Sequence, residues 1–166
     1  TVLVPWGGGG LTTGIASALH ALSPRTMVFA CEPETGAPLA ASLAAGEPVV
    51  VDYTPSFVDG AGSKALLPSM WERAQPLLAG AFTLSLDETA AAVRLLAERA
   101  RVIAEGAGAL SVAAAMSGRA GGGRRAAAAR QQEQGGRSAG QAQHVLSHVP
   151  AARAGRDPGR AGHWRR

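Results

Sequence analysis

The stretch VLVPWGGGGLTTGI at residues 2–15 determines the predicted fold of this chain. A short apolar run leads into four consecutive glycines, and apolar residues at helical spacing follow from about 13 to 22. This order predicts a β-strand, a loop without side chains and a helix N-terminus. Glycine N–H groups let an anion approach closely, and the positive end of the following helix attracts it. We therefore predict a phosphate-binding loop here rather than a flexible linker.

Length and composition place the chain among small globular proteins with an unusual charge distribution. Its 166 residues are enough for one domain with a core, and residues 1–123 carry a net charge of −3. Residues 124–166 carry +7, so the basic isoelectric point belongs to that end. The single cysteine, Cys31, excludes an internal disulfide and suits a reducing compartment such as the cytoplasm. No apolar run approaches the ~20 residues of a membrane-spanning helix.

Strand and helix patterns alternate along residues 1–120. The sequence predicts strands at 26–31, 81–85 and 102–104, and helices at 38–45 and 68–74. A further helix is expected to begin with Asp87 as its cap, and a small-residue helix to end near Gly118. Alternation of this kind is typical of a parallel sheet covered on both faces. We predict a three-layer α/β domain over residues 1–120, with ligands at the carboxyl ends of its strands.

The pattern changes at residues 121–166, which are rich in Arg, Ala and Gly and contain few large apolar side chains. A segment that buries so little apolar surface is expected to be disordered. Arginine-rich tails can bind nucleic acid, but this one has no Tyr or Phe, so that function is not favoured. We favour a third hypothesis, that the tail is the out-of-frame product of a GC-rich gene.

Five motifs, in order, resemble those of the fold type II pyridoxal-phosphate enzymes, the tryptophan synthase β family. They are PWGGGGL at 5–11, CEPE at 31–34, SLAAG at 42–46, VDG at 58–60 and AEGAGA at 104–109. Within that family the set is most similar to the threonine/serine dehydratases, which are ammonia-lyases. The resemblance covers residues 1 to about 120. It implies that the chain is the C-terminal part of the cofactor-binding domain and that an N-terminal part is missing.

The resemblance assigns pyridoxal phosphate as the cofactor and gives roles to several residues. Its phosphate is expected to bind the backbone of the loop, and Glu105 to lie near the cofactor ring or to cap a helix. Glu32 matches a glutamate that helps to bind a divalent cation in some members. Those members have a second carboxylate six residues on, where this chain has Pro38, so a metal here is doubtful. The residues assigned to the phosphate are Gly7, Gly8, Gly9 and Gly10, with Leu11.

Two departures from the family pattern concern catalysis. The family's Schiff-base lysine lies in a motif that this chain lacks, and the only lysine, Lys64, is expected on the surface. The family's Ser-Gly-Gly-Asn motif is also absent, and the chain contains no asparagine. No residue of this chain is therefore assigned to catalysis, and we expect the chain alone to be inactive.

The function implied by the resemblance is β-elimination of a small hydroxy amino acid, threonine or serine, to an oxo acid and ammonia. A β-replacement enzyme and an amino-acid racemase of the same fold are the alternatives within the family. A non-catalytic protein with a basic tail that binds nucleic acid or a partner is the alternative from another class. The intact family member is expected to be a cytoplasmic homo-oligomer that contacts no membrane.

Overall fold

A computed structural model of the chain describes residues 1–120. The predictions for residues 121–166, including disorder and the basic tail's partners, lie outside the described residues. Three β-strands and five α-helices form the described part of the chain. The strands are β1 (Val2–Pro5), β2 (Val28–Pro33) and β3 (Gly80–Leu84); the helices are α1 (Gly10–Leu22), α2 (Pro38–Ala45), α3 (Pro68–Ala74), α4 (Leu86–Leu95) and α5 (Gly106–Met116), and a π-helical segment (Leu96–Ala100) follows α4.

Within residues 1–120 the sheet is parallel with the strand order β1-β2-β3, so β2 lies between the other two strands. Because side chains alternate along a strand, each sheet face builds its own core. Leu3, Cys31 and Leu84 pack with α4 and α5 on one face. Val4 and Ala30 pack with α1, α2 and α3 on the other. Helices therefore cover both faces, and the predicted three-layer α/β fold is confirmed.

Segment 102–104 is not a strand, contrary to the sequence-based prediction. Val102 and Ile103 are 48% and 91% exposed, so their side chains have no core to pack on. The chain reaches this segment through Arg101, which has a left-handed backbone with φ of 58°. An apolar run becomes a strand only when its backbone joins a ladder of hydrogen bonds, and this run does not.

Two helix starts also differ from the predictions. Helix α1 begins at Gly10 rather than near residue 13, because the last glycine of the loop already has helical geometry. Helix α4 is capped by Ser85 rather than Asp87. The Ser85 hydroxyl accepts the N–H of Glu88, and the Glu88 carboxylate accepts the N–H of Ser85, which is a complete capping box. The sequence signal for it, Ser followed three residues later by Glu, is present at 85–88.

No helix within residues 1–120 combines the length and the apolar content that a membrane crossing requires.

Candidate functional site

The glycine loop lies at the carboxyl end of β1, between that strand and α1. Thr12 ties the start of the helix back to the strand, since its hydroxyl donates a 2.8 Å hydrogen bond to the carbonyl of Pro5. Gly9 is the N-cap residue of α1 and has a left-handed backbone, with φ of 88°. Ligands of open α/β sheets bind at the carboxyl ends of the strands, and this loop lies there.

The backbone N–H groups of residues 7–12 donate no hydrogen bond within the described part of the chain. The first N–H that is used is that of Thr13, which donates to the carbonyl of Gly9 at 2.9 Å. No side chain of residues 1–120 caps helix α1, and the first turn of the helix contains no acidic residue. The loop and the first turn of the helix therefore offer a row of free donors at the positive end of a 13-residue helix.

The four glycines of the loop differ in the space around them. A Cβ on Gly7 would lie 2.9 Å from the carbonyl oxygen of Gly60, and one on Gly9 would lie 2.6 Å from the Trp6 indole. For Gly8 and Gly10, in contrast, no atom of residues 1–120 outside the adjoining backbone lies within 4 Å of an added Cβ. Gly7 and Gly9 are thus required by packing, whereas Gly8 and Gly10 face open space where an anion can approach the backbone.

A second segment, residues 58–62, packs beside the glycine loop. The N–H of Gly62 donates to the carbonyl of Trp6 at 3.1 Å. Asp59 and Gly60 form a turn. Gly60 lies between the glycine loop and the start of α5, because a Cβ there would approach Ala107 Cβ at 3.0 Å and Glu105 Oε1 at 3.3 Å. The turn therefore brings the GGGG and AEGAGA motifs together.

Glu105 is the N-cap residue of α5, but its side chain makes no capping hydrogen bond. The residue is exposed, and its carboxylate lies over Gly60, which in turn packs against Gly7 of the glycine loop. The following residue, Gly106, is packed against the backbone of Phe57 and Val58, 2.8 Å and 2.9 Å from an added Cβ. The backbone of α5 is thus fixed, while the Glu105 carboxylate binds no helix N–H of residues 1–120.

Glu32 has a structural role that the sequence did not suggest. It is fully buried at the end of β2, and its two oxygens accept the N–H groups of Leu39 and Ala40 at 3.0 and 2.7 Å. These are N–H groups of the first turn of α2, so Glu32 caps that helix from a neighbouring strand. Burial raises the pKa of the Glu32 carboxyl to about 7, although the two N–H donors partly offset the rise.

The residues around Glu32 do not fit a divalent cation. Both of its oxygens already accept backbone donors, and Pro38 occupies the position of the second carboxylate. Residues 1–120 hold no group of three or more His, Cys, Asp or Glu side chains placed to bind a metal. A hard cation needs several oxygen ligands, and within residues 1–120 Glu32 is the only carboxylate placed here, with both oxygens already engaged by helix α2.

The structure also shows the positions of three further residues, Leu11, Lys64 and Cys31. Leu11 lies in the first turn of α1 and is 65% exposed, so only its backbone is available to the loop. Lys64 is exposed, as predicted. Cys31 is buried under α4 and α5, and burial raises the pKa of its thiol to about 12, which keeps it protonated and unreactive. Trp6 and Gly60 shape the loop but were given no role by the sequence.

Comparison with known proteins identifies the family of the chain. The sequence profile of the pyridoxal-phosphate dependent enzyme family matches residues 1–129, most of the chain. The chain belongs to this family. Among curated relatives, a biosynthetic L-threonine dehydratase of Salmonella typhimurium is 38% identical over 112 residues, covering 68% of this chain and 22% of that protein.

Solved structures of family members share the fold. A threonine deaminase from T.th. superposes with a TM-score of 0.67 at 35% identity, covering 70% of this chain and 42% of that one. Maize serine racemase superposes with a TM-score of 0.65 at 30% identity, covering 69% of this chain and 36% of that one. The chain therefore spans less than half the length of these relatives.

Pyridoxal phosphate is the cofactor of this family, and the described residues fit its phosphate end. The fit rests on the free donors of residues 7–12 and on the open space at Gly8 and Gly10. Two buried polar side-chain atoms without a partner in the described part of the chain, Trp6 Nε1 and Thr13 Oγ1, also belong to residues that flank the loop.

Proposed function

We propose that residues 7–11 bind the phosphate of pyridoxal phosphate through their backbone. The single observation that carries the proposal is the row of N–H groups in residues 7–12 that donate to nothing else in residues 1–120. Gly7, Gly8, Gly9 and Gly10 form the cradle, and the N–H of Leu11 adds a donor from the first turn of α1. A phosphate gains from both the donors and the positive end of the helix.

Glu105 forms the second side of the same site in this proposal. Its carboxylate lies beside Gly60 and caps no helix N–H, so it is available to accept a hydrogen bond from the ligand or to orient it. Glu32, in contrast, is committed to α2 and takes no part in ligand binding.

A pair of substitutions at Gly10 tests the cradle without disturbing the fold. Outside the adjoining backbone, no atom of residues 1–120 lies within 4 Å of a Cβ on Gly10, so Gly10→Asp and Gly10→Asn are both accommodated. Asp at the start of α1 favours the helix but repels a phosphate, whereas Asn has the same shape and no charge. Pyridoxamine 5′-phosphate, which has no aldehyde to react with surface amines, serves as the titrant in calorimetry.

The expected result is at least tenfold weaker binding for Gly10→Asp than for Gly10→Asn, with unchanged or higher unfolding free energy for the Asp variant. The preference of the native chain for pyridoxamine 5′-phosphate over unphosphorylated pyridoxamine should disappear in the Asp variant. Equal affinity of the two variants would contradict the proposal, because the added carboxylate would then lie far from the phosphate.

The proposed activity of the whole protein is β-elimination of threonine or serine to an oxo acid and ammonia. This rests on the likeness to threonine dehydratases and on the AEGAGA and CEPE motifs. When bound, pyridoxal phosphate acts as the electron sink that makes elimination accessible. The part played by the described residues is to hold the phosphate and thereby the orientation of the ring.

An amino-acid racemase is the second candidate, and the likeness to maize serine racemase supports it. Two chimeras distinguish the reactions: residues 1–116 of this chain replace the matching segment in the Salmonella dehydratase and in the maize racemase. The lyase proposal expects the dehydratase chimera to keep the larger fraction of its parent's kcat/KM. A larger retained fraction in the racemase chimera would favour the racemase.

The 166-residue chain alone is proposed to be inactive. Its only lysine, Lys64, is exposed and lies outside the family's lysine motif, so no amine is placed to bond the cofactor. Ammonia release from threonine or serine, with pyridoxal phosphate present, should equal the release by free pyridoxal phosphate. A protein-dependent rate that saturates with substrate would overturn this.

A further inference from the structure

Trp6 is the last residue before the glycine loop and is 1% exposed. Its backbone joins three segments: its N–H donates to the carbonyl of Cys31 at 2.8 Å, and its carbonyl accepts the N–H of Gly62 at 3.1 Å. Its indole lies in the core with Ala30, Leu39 and Trp71. The residue is therefore fixed by both its backbone and its side chain.

The far edge of the indole ring lies directly under Gly9. A Cβ on Gly9 would be 2.6 Å from Cη2 and 2.7 Å from Cζ2 of Trp6, and 3.3 Å from Cβ of Met70. Gly9 is the residue that turns the chain from the loop into α1, with φ of 88°. The indole thus occupies the space below the turn that directs the free N–H groups.

We propose that Trp6 is a positioning residue for the phosphate site, whose indole ring supports Gly9 and holds the donors of the glycine loop in the arrangement that fits a phosphate group. The inference rests on the proposed function of the loop. A backbone donor row works only if its geometry is fixed before the anion arrives, and small displacements weaken every hydrogen bond at once.

The support depends on the length of the side chain. The atoms that reach Gly9 belong to the six-membered part of the indole, and the single ring of phenylalanine is too short to place atoms there. Trp6→Phe therefore keeps an aromatic residue in the core but removes the contact with Gly9. Trp71→Phe is the matched control, because Trp71 lies in the same core cluster and its substitution removes the same side-chain volume.

The experiment measures the binding of pyridoxamine 5′-phosphate and of pyridoxamine to the full chain and to both variants by calorimetry. The native chain and Trp71→Phe should prefer the phosphorylated ligand. Trp6→Phe should lose about tenfold in affinity for the phosphorylated ligand, with no change for pyridoxamine. A purely structural role would lower both affinities or neither.

Three outcomes would overturn the inference. If Trp6→Phe keeps the full preference, the indole does not position the donors. If Trp6→Phe and Trp71→Phe lose the preference equally, the loss results from disturbing the core and not from removing the contact between Trp6 and Gly9. If the native chain shows no preference, the phosphate site itself fails, and the proposed function falls together with this inference; a native preference with an unaffected Trp6→Phe refutes the inference alone.

If Trp6→Phe does not fold, a measurement on the native chain tests whether the Trp6 indole positions the donors of the glycine loop. Titration with inorganic phosphate is followed through the indole N–H resonances, assigned with Trp71→Phe and Trp164→Phe. The Trp6 resonance should move with the same saturation curve as the amides of residues 8–10, and the Trp71 resonance should stay in place. A stationary Trp6 resonance during saturation of those amides would refute the inference.

Discussion

The N-termini of α1 and α2 differ in how their free N–H groups are satisfied. Helix α2 is capped by Glu32, a fully buried carboxylate that reaches it from β2. Helix α1 begins at Gly10, the last glycine of the loop, and its first turn contains no acidic residue. No side chain within residues 1–120 caps it. Both helices follow a strand of the same sheet and start near its carboxyl end.

The difference shows where the chain satisfies its own donors and where it leaves them free. At α2, and at α4 with its Ser85–Glu88 capping box, side chains stabilise the helix start. At α1 the donors bind nothing else within residues 1–120. The Glu105 carboxylate, which caps no helix N–H, lies next to Gly60, the residue that packs against Gly7 of the loop. A helix end without caps costs stability, and a ligand that binds there restores it. Each of the following substitutions changes either a helix start that side chains satisfy or the region around the start of α1.

The largest effect is expected at Gly9. Gly9→Ala places a Cβ 2.6 Å from the Trp6 indole at a left-handed position, so the free energy of unfolding should fall by about 4 kcal/mol. Gly46→Ala is the control, because Gly46 has a similar φ of 82°, but no atom of residues 1–120 beyond its chain neighbours lies within 4 Å of an added Cβ. This substitution should cost about 1 kcal/mol. Urea unfolding measures both; equal losses would show that the indole does not crowd Gly9.

The second effect concerns Glu32 and pH. Its pKa is raised from 4.5 to about 7 in the folded chain, so the folded state binds the proton more tightly than the unfolded state does. Stability from this group is therefore highest below about pH 4.5 and declines as the pH rises towards 7, by on the order of 3 kcal/mol.

Glu32→Gln should remove this part of the pH dependence between pH 4.5 and 7 in urea unfolding. Glu34→Gln is the matched control: Glu34 lies two residues further on, is exposed, and accepts the N–H of Leu86 at 2.8 Å. The control should keep the native slope. A native slope in Glu32→Gln would mean that the buried carboxylate is not the group that titrates.

A smaller effect is expected at the α4 cap. Ser85→Ala removes the acceptor of the Glu88 N–H and should lower the free energy of unfolding by about 1 kcal/mol without changing phosphate affinity. Ser17→Ala, at an exposed position in α1, should cost nothing measurable. A loss of affinity in Ser85→Ala would indicate that the two helix ends are energetically coupled.

The smallest effect on stability is expected at Glu105. Since its side chain caps no N–H group and is exposed, Glu105→Gln should change the free energy of unfolding by less than about 0.5 kcal/mol. The same substitution should alter the affinity for pyridoxamine, because the family resemblance places Glu105 near the cofactor ring, which pyridoxamine retains. A loss of stability comparable to that of Ser85→Ala would instead identify Glu105 as a structural cap.

The parts of the fold that the sequence predicted are those governed by local pattern. The glycine loop, the buried strand at β2 and the helix at Pro38–Ala45 each have a signal within a few residues, and all three are present. The cap of α4 also had a local signal, Ser85 with Glu88, but the adjacent Asp87 is an equally good cap by residue type.

Tertiary contacts account for what the sequence did not predict. The role of Glu32 depends on where α2 lies relative to β2, which no spacing reveals. The exposed Ile103 has the composition of a strand residue, and only the sheet's hydrogen bonds decide that it is not one. The contact between Trp6 and Gly9 depends on a side chain folding back under its own loop.

The most direct test of the proposed phosphate site compares the backbone amide resonances at the starts of α1 and α2 during one titration. Pyridoxamine 5′-phosphate and pyridoxamine are added in turn to the ¹⁵N-labelled full chain. We expect saturable shifts of the amide resonances of residues 7–11 with the phosphorylated ligand only. The amide resonances of Leu39 and Ala40, whose N–H groups are bound by Glu32, should not shift. Unmoved amides in residues 7–11, or equal shifts with both ligands, would contradict it.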